Sequence, residues 1–305
     1  MTHSEAAINE ACNAMVDDLV RRRIIRTPAV ERAFRRVRRH AFMTPPYAVA
    51  TDSLAEEFLE TDDPCGVYAD AAVALKPEKS IHCLSPGVLA REIEALGVAE
   101  GMRILHVETG GGYYTAVLAE IVGERGSVVG INYEEDIAEM AASFLAKAGY
   151  TNVNILCGDG AAGVPEAGPF DRVLVSAGAS DIAPAWIEQL YDDGRLVLPL
   201  CHLGPLGPRI SGGVILAVEK ATDGLTGNIS SVAVFVPLQG VMAPTTGESV
   251  SLAEGLQRWF ALEEFYRTEL PIRILMKSAA GHPPDPAGVL WFMETRNAAM
   301  WVEPN

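Results

Sequence analysis

The amino-acid sequence predicts an α/β fold, a central and mostly parallel sheet with helices on both faces. Three observations predict it. After Pro86, short apolar runs alternate with amphipathic segments at βαβ spacing as far as Leu198. The first of those runs ends in Glu108-Thr109-Gly110-Gly111-Gly112, a glycine-rich turn that opens a helix. The chain has 305 residues, 49% of them hydrophobic, which is ample for a sizeable core.

The elements follow in order. Residues 5–25 read as a helix, because Ile8, Cys12, Met15, Val16, Leu19 and Val20 recur at helical spacing. A second helix opens at Thr27-Pro28, where threonine can cap free N–H groups and proline lacks one that had no partner. It runs through Val30, Phe34 and Val37 to about His40, and residues 41–86 read as irregular. Val88, Leu89, Ile93 and Leu96 mark the next helix, and Met102–Val107 a strand. Val117, Leu118, Ile121 and Val122 then mark a helix, Ser127–Asn132 a strand, and Asp136–Ala148 a helix. Val153–Cys157 is a strand ending in Gly158-Asp159-Gly160, and Arg172–Ser176 another. A helix over Pro184–Leu190 and a strand over Gly194–Leu198 complete the alternation. Val214–Val218 and Val232–Val236 read as an antiparallel pair, 244–249 as a linker and 251–267 as a helix. Apolar pieces around Ile274, Leu290 and Trp301 end the chain. The expected division is 1–86, a core over 87–244, and a small C-terminal appendage over 245–305.

The formal net charge is −16, and so acidic a surface repels phosphate backbones, which argues against nucleic acid as a partner. Against that trend, nine arginines crowd positions 21–39. They read as a solvated helix face balancing acidic neighbours, or as a dock for an acidic substrate or leader peptide. The five cysteines are scattered and no Cys/His cluster has zinc spacing, so a reducing cytoplasm and no metal are expected. The first ten residues, MTHSEAAINE, are too polar for a signal peptide. The longest apolar runs, such as GVILAV at 213–218, are strand-length, so no membrane span is expected.

Several ordered segments resemble the protein-L-isoaspartate O-methyltransferase family, especially the versions found in actinobacterial natural-product clusters. Val37-Arg38-Arg39-His40-Ala41-Phe42 is similar to the family's VPRHxF, and Val67-Tyr68-Ala69-Asp70 to its AYxD. The segment ILHVETGGGYYTAVLA at 104–119 is similar to VLEIGTGSGYQAAVLA. Gly158-Asp159-Gly160 and Pro169-Phe170-Asp171 match GDG and PYD, and Phe235-Val236-Pro237-Leu238 resembles the end of the family domain. The resemblance covers about 14 to 240 and implies a Rossmann-like class I methyltransferase fold with 1–86 on the substrate side. It also implies S-adenosylmethionine as cofactor and a small-molecule or peptide substrate.

The resemblance also places the site. Gly110, Gly112 and Asp159 are retained cofactor-side positions, and Asn132 stands where the family has the acid that takes the ribose hydroxyls. His106 stands at the strand-end acid and Glu108 at the first glycine. Anchored on Pro86, the family's TISQP reads His82-Cys83-Leu84-Ser85-Pro86, with Leu84 at the serine; Ser80 or Ser85 would serve if the alignment slips. Glu134 and Glu135 are near enough to replace the ribose acid. His106 and Glu108 lie two apart near a strand end, so one face of the sheet could present them as a general acid/base pair, with His82 joining from the loop. The other reading of the pair is a buried histidine satisfied by a glutamate, and Tyr113 and Tyr114 either line the pocket or pack. Three functions follow: O-methylation of a carboxylate in a peptide or natural-product pathway; cyclisation, isomerisation or elimination on the His/Glu pair; or a non-catalytic partner role.

Overall fold

Helix α1 (Glu5–Arg21) begins where Ser4 accepts the N–H of Ala7 on its side chain at 3.2 Å, and it buries the stripe Ile8, Cys12, Met15, Val16 and Leu19. A computed structural model describes residues 4–51, 57–201, 211–222, 224–243, 272–274, 291–295 and 298–302. Helix α2 (Pro28–Arg36) is shorter than its sequence suggests, because Val37 turns extended and a 3-10 turn takes over at Arg39–Phe42. Thr27 holds the capping position of α2 without capping it. Its hydroxyl donates to Glu94 at 2.8 Å, and the N–H groups of Arg26 and Thr27 donate to the same carboxylate at 2.8 Å.

The arginine run divides. Arg22 pairs with Asp18 and Asp70, Arg35 with Asp17 and Glu31, and Arg36 with Glu120, while Arg39 is fully buried. The paired members balance acidic neighbours within the chain.

The segment expected to be irregular is a small antiparallel sheet. Strands β1 (Tyr47–Ala50), β2 (Phe58–Thr61), β3 (Val73–Lys76) and β4 (Ile81–Cys83) pair in the order β2-β1-β3-β4. Each has three or four residues, and 3-10 turns at Pro64–Tyr68 and Pro77–Lys79 separate them, so no alternation is long enough to read.

The main sheet follows the expected alternation: α3 (Pro86–Leu96), β5 (Arg103–Val107), α4 (Tyr113–Val122), β6 (Ser127–Asn132), α5 (Glu135–Lys147), β7 (Val153–Cys157), β8 (Phe170–Val175), α6 (Pro184–Glu188) and β9 (Leu190–Leu200). The long hairpin of β10 (Ser211–Ala221) and β11 (Gly224–Phe235) adds to β9, and β12 (Ile272–Ile274), β13 (Trp291–Thr295) and β14 (Ala298–Val302) follow. The order is β7-β6-β5-β8-β9-β10-β11-β12-β13-β14, parallel from β7 to β9 and antiparallel beyond. Of the C-terminal pieces, those at Ile274 and Trp301 are strands, while the expected helix over 251–267 and the piece at Leu290 lie outside the described residues. No helix among the described residues is long and apolar enough to cross a membrane.

Strand alternation sorts β5 between two cores. Ile104 packs with Leu89, Ile93 and Val117, whereas Leu105 and Val107 pack with Val173, Trp186 and Leu198. Because β5 has β6 on one side and β8 on the other, the chain reverses its winding direction there, and the carboxyl ends of these strands open a crevice.

The core also contains polar side chains, and Glu92 is one of them. Glu92 of α3 is 0% exposed, neither carboxyl oxygen has a hydrogen-bond partner among the described residues, and burial pushes the carboxyl well above the usual range. Methionine has a similar shape and no group left unsatisfied. Glu92→Met is therefore expected to stabilise the fold at pH 7 by about 1–3 kcal/mol. Urea denaturation should show a higher midpoint at unchanged m-value, and a lower midpoint would show that the carboxyl is needed in place.

Candidate active site

His106 sits in β5 between Gly130 of β6 and Leu174 of β8, on the face toward α4. It is 0% exposed. Its Nδ1 is 2.9 Å from Thr115 Oγ1 and its Nε2 is 2.8 Å from Ser176 Oγ. Burial drives its pKa down to about 3, so the ring is neutral at physiological pH. A neutral imidazole has one donor and one acceptor, and the two hydroxyls satisfy both.

The expected pairing of His106 with Glu108 does not form. Alternation ends with the strand at Val107, and Glu108 takes φ +59°, which turns its side chain off the His106 direction. The Glu108 backbone N–H donates to Ile131 O at 2.8 Å, and its Oε1 accepts the N–H of Tyr133 at 3.3 Å. Burial raises the Glu108 carboxyl to about 7, with repulsion from Asp159 and Glu134 adding to it and the Tyr133 N–H opposing.

The glycine turn is shaped by left-handed backbone at Gly110 (φ +53°) and Gly112 (φ +88°), which side chains rarely adopt. At Gly111 a Cβ would come within 2.8 Å of the Phe42 carbonyl oxygen. Asn132 is 1% exposed and fastens the turn: its Oδ1 accepts the Gly110 N–H at 3.1 Å and its Nδ2 donates to Thr109 Oγ1 at 2.7 Å. The residue expected to hold a ribose thus holds the loop. Asp159 is engaged as well, accepting the N–H of Ala161 and of Val241, each at 2.9 Å.

The crevice has two parts that share His82, Leu84, Glu108, Gly110 and Ser176. The inner part, about 20 Å³, reaches His106 and Tyr113. The outer part, about 240 Å³, lies between Lys79 and Ser80 on one side and Glu134, Ala177 and Gln239 on the other. Gly110 lines both parts, whereas Gly112, Asn132 and Asp159 line neither. His82 is stacked on Phe58, with ring centroids 5.4 Å apart and planes at 14°. Leu84, at the expected serine position, offers its carbonyl to Arg39 Nη2 at 2.9 Å and to the Tyr114 hydroxyl at 2.6 Å. Ser80 lines the outer part, while Ser85 stands at the start of α3. Glu134 joins the two walls, accepting from Lys79 Nζ at 2.8 Å and from Gln239 Nε2 at 3.3 Å.

The structure therefore brings His82, His106 and Glu108 to one cavity without bonding His106 to Glu108. Sequence reasoning missed Ser176, Thr115, Lys79 and Gln239. Ser176 had a signal, since it ends the run Arg172–Ser176 beside β5, where ligands sit in open α/β sheets.

The sequence model of the protein-L-isoaspartate(D-aspartate) O-methyltransferase (PCMT) family matches residues 10–242. Protein-L-isoaspartate O-methyltransferase 2 of Archaeoglobus fulgidus is 35% identical over 211 residues, covering 69% of this chain and 85% of that protein. The Methanococcus aeolicus protein-L-isoaspartate O-methyltransferase is 33% identical over 227 residues, covering 74% of this chain and 93% of its own. A solved protein-L-isoaspartate O-methyltransferase structure superposes with a TM-score of 0.59 at 26% identity, over 76% of this chain and 67% of that one. A Plasmodium falciparum structure, described as a β-aspartate methyltransferase in complex with S-adenosyl-L-homocysteine, superposes with a TM-score of 0.59 at 18% identity, over 75% of this chain and 98% of that one. The second likeness carries the fold: the sheet and its helices are those of class I methyltransferases.

Proposed function

The chain belongs to the protein-L-isoaspartate O-methyltransferase family, and from that premise we propose that it is an S-adenosylmethionine-dependent O-methyltransferase acting on a carboxylate of a peptide or small natural product. The observation that carries this reading is the crevice of about 240 Å³ at the strand carboxyl ends, with Gly110 and the carboxylates of Glu108 and Glu134 on its walls. That lining suits a ligand that is cationic and bears hydroxyl groups. When bound, the cofactor supplies a methyl group already activated by its sulfonium.

The chain's own part is positioning. A carboxylate acceptor is ionised at neutral pH and needs no general base, which accords with a buried His106 that stays neutral and has both ring nitrogens engaged. His106 instead fixes the Ser176 hydroxyl at the point where the two parts of the crevice meet. His82, backed by Phe58, lines the wall opposite the strand ends, on the acceptor side. The tie from Lys79 to Glu134 bridges the two walls of the outer part.

Calorimetric titration with S-adenosylmethionine and with S-adenosylhomocysteine tests the proposal. Micromolar binding, worth about 8 kcal/mol, is expected. Binding of neither would overturn it.

A further inference from the structure

Glu108 is a carboxylate at a backbone position that disfavours side chains. At φ +59° a residue other than glycine carries backbone strain, and such strain persists where the surrounding structure or a function demands it. The residue stands where the resemblance expects glycine, and it lines both parts of the crevice. It forms no ion pair among the described residues, and its side chain is held by the 3.3 Å contact with the Tyr133 N–H.

The other candidates for holding a cation are committed. His106 is saturated by Thr115 and Ser176, Asn132 fastens the glycine turn, and Asp159 accepts two backbone N–H groups. Glu134 is held by Lys79 and Gln239.

We infer that Glu108 is the counter-charge for the amino-acid ammonium of the methyl donor. The inference rests on the methyltransferase reading above. The charged and titratable groups around Glu108 are Glu134 with its partner Lys79, Asp159, His82 and His106. Two of these are carboxylates that repel it, so in the free protein Glu108 readily keeps a proton. An arriving ammonium displaces that proton. With the carboxyl raised to about 7, binding at pH 7 releases a measurable fraction of a proton.

The test is calorimetry on the full chain and on Glu108→Gln and Glu108→Gly, titrated at pH 7 with S-adenosylmethionine and S-adenosylhomocysteine in phosphate and in Tris. The two buffers differ in ionisation enthalpy and so report proton release. Both ligands carry the ammonium. Both should therefore lose at least about tenfold in affinity in either variant, and the wild-type proton release should vanish. Glu108→Gly should meanwhile have a higher urea midpoint, since it relieves strain, so weaker binding there is no folding defect. Wild-type binding with a buffer-independent enthalpy, or binding by Glu108→Gly as tight as wild type, overturns the inference and leaves the methyltransferase reading intact. A loss confined to S-adenosylmethionine overturns the assignment to the ammonium. Wild-type protein that binds neither ligand removes the reading beneath, and the inference with it.

Discussion

Arg39→Ala is expected to destabilise the fold by about 4 kcal/mol or more, because several buried carbonyl groups lose their donor at once and each unsatisfied group costs about 1–3 kcal/mol. The guanidinium is 0% exposed. Its Nη1 donates to the carbonyls of Val67 and Ala69, and its Nη2 to those of Ala71, Cys83 and Leu84. The charge also lies 5.9 Å from the centre of the Tyr113 ring. This cation is solvated by the chain's own carbonyls, much as water would solvate it. Lysine cannot substitute, since three donors on one nitrogen do not span that fork. The carbonyls it gathers belong to the segment entering β3 and to the end of β4, which walls the crevice. Ligand affinity should therefore fall with stability. Urea denaturation of Arg39→Ala and Arg39→Lys decides it: a loss under about 1 kcal/mol in the alanine variant would mean that water replaces the guanidinium without penalty.

Glu108→Gln is expected to be more stable than wild type in a pH-dependent way. The carboxyl has its pKa raised from 4.5 to about 7 in the folded chain. Between those values the native state binds more protons than the unfolded state, so wild-type stability falls as pH rises through that window. Glutamine has no proton to lose. The gap between variant and wild type should be small below pH 4.5 and approach about 3 kcal/mol above about pH 7.5, since each tenfold change in proton affinity between the two states is worth about 1.4 kcal/mol. Denaturation at about pH 4.5 and about pH 8 without ligand measures it, and equal gaps at both would show that Glu108 does not titrate as its surroundings dictate. In this region of the chain, stability and charge oppose one another.

The parallel part of the fold was legible because its strands are short, mostly apolar runs bounded by turn residues and alternating with helices. Arg103–Val107, Ser127–Asn132 and Val153–Cys157 lie within a residue of their expected limits. The strands β10 and β11 extend well past their apolar centres through Lys220 and Asn228, where ladder bonds rather than burial continue the pairing, and β9 reaches back to Leu190 across a register irregularity. The β1–β4 sheet was hidden by strands too short to show a period. In the site, positions were legible and partners were not. Glu108 and His106 line the crevice, but the bonds that decide their chemistry join His106 to Ser176, 70 residues on, and Glu108 to Tyr133, 25 residues on. Asn132 ends β6 beside the glycine turn but lines neither part of the crevice, and its contact is the loop 22 residues earlier. No local pattern announces such long-range commitments.

The Asn132 clasp has a consequence for how a ligand is received. With Thr109 and Gly110 already fixed by its amide, the turn is moulded before anything arrives, and little chain entropy remains to be lost on association. Encounter should thus resemble a key entering a cut lock, with backbone in the turn nearly superimposable between free and occupied protein. The same clasp makes the amide a timing element. If Asn132 were shortened to alanine, the turn would first have to be captured in its bent form, and association would slow while the crevice walls stayed as they are.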